Sequence, residues 1–515
     1  MLASFANKPR RRTAILESLK APVGGWNARD SIADMKPQYA LTLENWFPTA
    51  SDLLLRRGFT DHVTSVLGGE VESLMAYQSP DGTNRLYCAA GTAIYNVSAA
   101  SATSSIAVSG LTNARFQHIN FTNTGGTSFL LVVNGANGVR SFNGSVWGSQ
   151  TITGVTASNL AHITQHKKRV WFCKDNTLET WFLPADAVSG TATIQDLSGI
   201  ARRGGEVNAI DTWTLDAGEG IDDYWVAATS NGEIIVYKGT DPTAASTWAM
   251  VGRWELGRPL GRRCFIKYAG DLLYLAEDGV WPLSKALISE RVQPRVAVTD
   301  TIVNAMTDAA RSYFSNFGWQ MIFFPSAPFI ILNVPVSSGN QEQYVMNTTT
   351  GAWCRFTGVD ANCWEIFGGE LYFGGNQFVS KFWDAFNDDN IAINGNAKQA
   401  FHYFKHNGLK KFEMVRPIIQ SDGAPSAPSV SMGINVDFDD TDPTTTPTFS
   451  ALSGGLWDTA IWDGDVWGGG LKVLKNWQTI SGVGFCAATR IRTQSRGLEV
   501  RWQATDFLYS PGAVV

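Results

Sequence analysis

The sequence predicts a mainly β fold: a β-propeller of six or seven irregular blades, with an N-terminal arm before it and a C-terminal all-β domain after it. Three observations carry that expectation. From about Val71 to Asp384 one phrase keeps returning: a short apolar strand, a turn with Gly, Asn or Asp, and a second strand carrying an aromatic or apolar residue. The phrases recur at irregular intervals of roughly 40 to 55 residues, the scale of a propeller blade. Finally, the 515 residues include 50 Gly and 19 Trp but only one stretch with clear helical spacing, which favours turn-rich β-structure. Radial repetition lets many hairpins follow one another while leaving only short, protected edges. A series of β-sandwiches is the competing architecture.

The arm covers residues 1–70 and contains "APVGGWNARDSIADMKPQYALTLENWFP" and "LLLRRGF". It has too few strands for a domain of its own and is expected to wrap another surface. Its first residues carry a basic cluster, Lys8, Arg10, Arg11 and Arg12, which reads as a candidate basic arm for nucleic acid or, more commonly at a terminus, for an acidic neighbour. No apolar run follows that cluster, so neither a signal peptide nor a membrane-spanning segment is expected.

Residues 71–386 are the propeller. Its hairpin phrases are "RLYCAAGTAIYNV", "FLLVVNGANGVRSFNG", "RVWFCKDNTLETWFL", "YWVAATSNGEIIVYKG", "DLLYLAEDGVWPLS", "FIILNVPVSSGNQEQYVMNTTTGAWCRF" and "ELYFGGNQFVSKFWD". One helix interrupts them: "VTDTIVNAMTDAARSYF" offers Thr299 and Asp300 as caps and spaces Ile302, Val303, Met306 and Ala310 at helical intervals, predicting a crossing between two blades. Residues 387–515 are expected to form a C-terminal β-domain, or the closing part of one composite with the propeller. Pro/Ser/Thr-rich punctuation there separates the alternating strands "VSMGINVDF", "KNWQTI", "TRIRTQS" and "LEVRWQATDFLY".

A net charge of -5 argues against a surface that grips nucleic acid through its phosphates. DNA as a passenger remains compatible, since a channel that lets DNA slide is better lined with acidic or neutral groups. The six cysteines are scattered without a C-x-x-C pair, and their apolar flanks predict buried free thiols made in a reducing compartment.

Chemistry is sparse. His162 and His166, and His402 and His406, are each four apart, but both contexts read as strand, where such a pair lies too far apart to share a metal. Asp437, Asp439, Asp440 and Asp442 in "VDFDDTDP" resemble a calcium loop without its Gly and closing Glu, so a solvated loop is favoured. Asp222 and Asp223 make a glycosidase pair only if another carboxylate approaches in space. No nucleophile elbow, P-loop or Rossmann glycine pattern stands in a strand-turn-helix setting. The expectation is a protein that is not an enzyme, with no cofactor and no metal.

The stretch "LWDTAIWDGDVWGGG" places Trp457, Trp462 and Trp467 five residues apart, a spacing that fits no single face of a strand or helix. Packing within a small β-domain, stacking platforms for sugars or bases, and anchors against a partner chain are all open to it. With Trp26 and Trp46 these residues are the candidates for a subunit interface or a stacking surface. Trp462→Ala is expected to weaken folding or ring assembly.

Four segments together resemble the tail nozzle, or tail tubular, proteins of short-tailed bacteriophages, also called packaged-DNA stabilisation proteins. They are "LAHITQHKKRVWFCKDNTLETWFLPADAVSGTATIQDLSGIARRGGEVNAI", "GGWNARDSIADMKPQYALTLENWFP" with "LRRGF", "ARSYFSNFGWQMIFFP" with "QYVMNTTTGAWCRF", and the terminal "VRWQATDFLY" following W-D and W-G. The resemblance is one of pattern across most of the chain. It implies a propeller-containing subunit of a homo-hexameric ring beneath the portal and adaptor rings of the virion tail, assembled in the host cytoplasm. The implied partners are other copies of itself, the tail adaptor ring, tail fibres or spikes, and the host envelope at the tip. Genomic double-stranded DNA would pass through the lumen without sequence-specific binding. A carbohydrate-binding tail protein and a propeller glycoside hydrolase are the alternative functions.

Overall fold

The computed structural model describes residues 14–216, 221–286, 297–405, 408–422, 428–443 and 472–512. Two compact units divide the chain, one of residues 59–351 and 356–384, the other of residues 1–58, 352–355 and 385–515.

In the first unit the seven hairpin phrases are the paired middle strands of seven blades. Blade 1 runs Val71–Tyr77, Arg85–Ala90, Ala93–Asn96 and Ser105–Val108; blade 2 runs Gln117–Thr122, Ser128–Val133, Arg140–Phe142 and Trp147–Ser149. Blade 3 is Leu160–His166, Arg169–Lys174, Glu179–Phe182 and Thr193–Asp196, and blade 4 is Val207–Asp216, Ile221–Thr229, Glu233–Gly239 and Trp248–Glu255. Blade 5 has three strands, Phe265–Tyr268, Asp271–Ala276 and Gly279–Pro282. Blade 7 joins Cys363–Phe367, Glu370–Gly374 and Val379–Phe382 to Phe59–Val63. Those six sheets stand by themselves, whereas the strands of blade 6, Gln320–Phe324, Phe329–Ser337 and Asn340–Asn347, belong to a larger sheet. The innermost strands follow one another round the ring from blade 1 to blade 7 and back to blade 1.

Closure comes from sequence that precedes the repeats. Phe59–Val63 pairs antiparallel with Val379–Phe382 in the register Val63↔Val379 and Phe59↔Phe382, so the last blade takes its outer strand from the start of the unit. Successive blades pack through apolar clusters. Val63, Val71 and Cys88 meet Cys363 and Val379 between blades 7 and 1, and Trp171 and Phe182 meet Trp225 and Tyr237 between blades 3 and 4.

The predicted helix is present as Val303–Tyr313, between blades 5 and 6, and buries Met306, Ala309 and Ala310. It is entered through a 3-10 turn, Asp300–Ile302, which has Thr299 at its N-cap position, as expected, but without a side-chain cap bond. The Thr299 hydroxyl instead accepts the Val280 N–H at 3.1 Å, because the third strand of blade 5 needs an acceptor there.

The second unit is braided from both ends of the chain. Ile15–Lys20 pairs antiparallel with Val500–Pro511 in the register Ile15↔Tyr509, and Tyr39–Glu44 pairs with Ile393–Gln399. The arm is thus sheet, its strands completed by those of the C-terminal segment. Lys410–Ser421, a 12-residue strand absent from the sequence reading, runs beside Val500–Pro511. Phe412, Phe507 and Tyr509 pack on Met432 and Ala487 to form the core.

Candidate functional site

Several residues singled out in the sequence serve structure. Trp46 has no exposed surface and meets Trp502 edge-on at 6.3 Å; Trp26 is buried, with the Arg355 guanidinium 5.8 Å above its ring. Rings so enclosed pack the interior of their own unit and present no stacking face, contrary to what their sequence setting suggested. Trp457, Trp462 and Trp467, the basic cluster Lys8, Arg10, Arg11 and Arg12, and His406 lie outside the described residues.

Several of the singled-out aspartates are engaged, while the Asp222 side chain lies outside the described residues. Asp223 accepts Lys167 Nζ and the Thr214 hydroxyl, both at 2.8 Å. Burial would raise its pKa, but those hydrogen bonds outweigh it and hold the carboxyl below the usual range, the wrong direction for a general acid. In "VDFDDTDP", Asp440 answers Lys398 at 3.0 Å, Asp442 answers Arg492 at 2.6 Å, and Asp437 accepts the Phe485 N–H at 2.7 Å. Carboxylates committed to cations and backbone are not arranged around an ion, and among the described residues no group of three or more His, Cys, Asp or Glu is placed to hold a metal. All six cysteines are buried and unpaired, and burial pushes Cys264 and Cys363 up to about 12.

A concentration of polar side chains lies in the channel enclosed by the seven innermost strands, where His162 is the one lining residue already singled out in the sequence. It is a cavity of ≈ 460 Å³. Each of blades 2 to 7 turns at least one polar residue into it, among them His118, His162, Asp211, Lys267, Gln320 and Glu365. This follows from strand alternation, since a strand whose one face packs between blades directs its other residues to the axis. A second cavity of ≈ 560 Å³ opens beside it and shares Gln117, Arg262 and Arg263 with the channel.

Arg263 braces this ring. It precedes the first strand of blade 5, yet its guanidinium donates to Ser73 Oγ at 2.9 Å, to the carbonyls of Glu72 at 3.1 Å and Phe116 at 3.2 Å, and to Gln320 Oε1 at 3.2 Å. One side chain therefore ties blade 5 to blades 1 and 6 and to the chain entering blade 2. Gln320 in turn exchanges two hydrogen bonds with the Trp364 backbone of blade 7, at 2.9 and 3.1 Å.

Across the lumen His118 Nε2 lies 3.3 Å from Glu365 Oε2, each side chain about a fifth open to the channel. Strands on every side desolvate the pair. Burial pushes Glu365 up to about 8 against the opposing pull of the Ile366 N–H and Arg263, and pushes His118 down to about 4 with help from Arg263. Both shifts favour the uncharged forms of the two side chains at neutral pH. His162 is likewise driven down to about 4 by burial, and its Nε2 meets the Ile210 carbonyl at 2.9 Å. His166, four residues along the same strand, instead meets the Thr212 hydroxyl at 3.0 Å.

No family model and no curated protein sequence matches this chain. Solved structures similar to it include the WD40 β-propeller domain of Doa1, at 10% identity and a TM-score of 0.37 over 63% of this chain and 97% of that one. Chaetomium thermophilum Raptor is similar at 13% identity and a TM-score of 0.39, over 64% of this chain and 29% of that one. The Myceliophteria thermophila Cps50 (Swd1) β-propeller domain is similar at 10% identity and a TM-score of 0.35, over 61% and 99%. What this chain has in common with them is the β-propeller fold.

Proposed function

We propose that this chain is a structural subunit of the tail nozzle of a short-tailed bacteriophage, non-catalytic and assembled as a ring of six. The observation that carries the reading is that the segments resembling nozzle proteins are those that build the frame. "LAHITQHKKRVWFCKDNTLETWFL" is the three inner strands of blade 3. "GWQMIFFP" leads into blade 6, and "VRWQATDFLY" is the strand to which the arm is zipped. A conduit under internal pressure needs subunits whose ends are tied down, and here the described ends pair with each other while a separate strand closes the propeller.

Closed rotational symmetry requires one patch to meet a different patch on the next copy. Six copies at -5 each carry a formal charge of -30, which suits a wall that DNA slides past. The lumen would be the space enclosed by the six copies. Duplex DNA, whose major groove alone is about 12 Å wide, has no path through a propeller channel crossed by Arg263. In the virion tail such a ring would sit against the adaptor, with fibres or spikes and the host envelope as further neighbours. The clamped state of Asp223 weighs against a glycosidase.

Electron microscopy of the purified chain, alone and added to adaptor-bearing particles, is the test. Sixfold rings that cap those particles are expected. A chain that stays monomeric at high concentration and does not add to the particles overturns the proposal.

A further inference from the structure

We infer that the channel of the propeller is a binding site for a small oxyanion of the phosphate class. The inference starts from charge. In a chain of net charge -5, the channel lining gathers Arg262, Arg263 and Lys267 against Asp211 and Glu365. Two of the cations are answered: Lys267 lies 3.2 Å from Asp211, and Arg262 turns to Asp175 at 2.5 Å and Glu206 at 3.5 Å. Arg263 is not. Among the described residues no carboxylate stands within ion-pair distance of it, and its partners are carbonyls, a hydroxyl and an amide oxygen.

A guanidinium whose direct partners are dipoles, with Glu365 and Glu72 acting on it only at longer range, leaves charge in the cavity for an anion to meet. Burial pushes the Glu365 carboxyl up to about 8, which weakens its opposition to that charge at neutral pH.

A second, independent observation points the same way. Gln117 and Gln165 both line the channel, and their side-chain amides have no hydrogen-bond partner among the described residues. Amides pointing into a cavity beside an unneutralised guanidinium form a donor set for oxygen atoms of a ligand. A cavity of ≈ 460 Å³ falls within the range of small-molecule sites, about 300 to 1,000 Å³. Access is through the adjoining cavity, where Arg115 lies 4.5 Å over Phe317 and Arg258 lies 4.4 Å over Phe314. Those two arginines are paired with Glu72 and Glu277, so they shape the mouth while the uncompensated charge stays inside.

The inference is independent of the nozzle reading, because it concerns one copy of the chain. Calorimetric titration of the full chain with inorganic phosphate and with glucose 6-phosphate tests it, with glucose as the uncharged control. Saturable binding of at least one phosphate compound is expected, with none of glucose. Tighter binding of the sugar phosphate assigns the site to an organic phosphate, and equal or weaker binding assigns it to free phosphate. Arg263→Gln should weaken binding about tenfold or more, the loss of one charge-assisted contact. Because Arg263 also braces the ring, Gln165→Ala and Gln117→Ala, which break no internal hydrogen bond, decide the matter if that variant does not fold. Each should weaken binding a few-fold with an unchanged melting temperature. Absence of saturable binding, or binding unchanged in both glutamine variants, overturns the inference.

Discussion

Trp171→Ala measures how far the ring depends on packing between adjacent blades. Trp171 is fully buried between blades 3 and 4, with Phe182 at 4.7 Å, Trp225 at 5.1 Å and Trp248 stacked on it at 5.7 Å and 20°. Truncation removes on the order of 150 Å² of buried surface, or about 4 kcal/mol at roughly 25 cal/mol per Å². The neighbouring rings are themselves wedged between blades, so the void cannot collapse fully, and large aromatic truncations of this kind cost about 3 to 5 kcal/mol. One contribution runs the other way. The Trp171 Nε1 group is buried without a hydrogen-bond partner, and deleting it relieves about 1 kcal/mol. The expected net loss is therefore about 3 kcal/mol. Urea unfolding followed by far-UV circular dichroism reads it as a lower midpoint at an unchanged slope. Trp477→Ala, at a position 37% exposed, is the reference and should cost under about 1 kcal/mol. A loss at Trp171 no larger than the loss at Trp477 refutes the claim that inter-blade packing holds the ring.

The channel predicts a pH dependence with a definite sign. Between the ordinary carboxyl value of 4.5 and about 8, the folded chain keeps the Glu365 proton that the unfolded chain releases, so stability falls as pH rises through that window. His118 and His162, lowered from 6.5 to about 4, act oppositely and only below pH 6.5. Melting temperatures should therefore decline from about pH 6.5 to about pH 8 in the parent chain and decline less in Glu365→Gln; identical slopes would contradict the assignment. In the second unit, Arg56 is almost fully buried and grips both Asp388 oxygens at 2.7 Å. Arg56→Ala leaves that carboxylate unpaired and should cost about 3 to 5 kcal/mol in urea unfolding, part of it recovered by adding Asp388→Ala. A loss under about 1 kcal/mol in the single variant would show the pair to be dispensable.

Legibility in the sequence followed burial. Each hairpin phrase, such as "RLYCAAGTAIYNV" or "DLLYLAEDGVWPLS", was readable because a middle strand is covered on both faces and so appears as an apolar run. The innermost strands were not, because "QHINFT" or "CWEIF" mixes residues facing the next blade with residues facing the lumen. Lys410–Ser421 escaped for the same reason, its buried and half-buried positions alternating through charged residues. Thr299 stands at the expected N-cap position, but its hydroxyl accepts the Val280 N–H of the neighbouring strand instead of capping.

The sequence by itself determined the β class, the repeated hairpins, the crossing helix between blades 5 and 6, and the burial of the six thiols. These are local properties, written in the period and composition of a dozen residues at a time. Only the tertiary structure decided that Phe59–Val63 closes the ring on Val379–Phe382, more than 300 positions away, and that the arm is zipped to the C-terminal strand. It also decided the channel. His118 and Glu365 are ordinary residues in their own strands, and closing a ring of blades is what brings the two side chains within 3.3 Å and buries most of their surface.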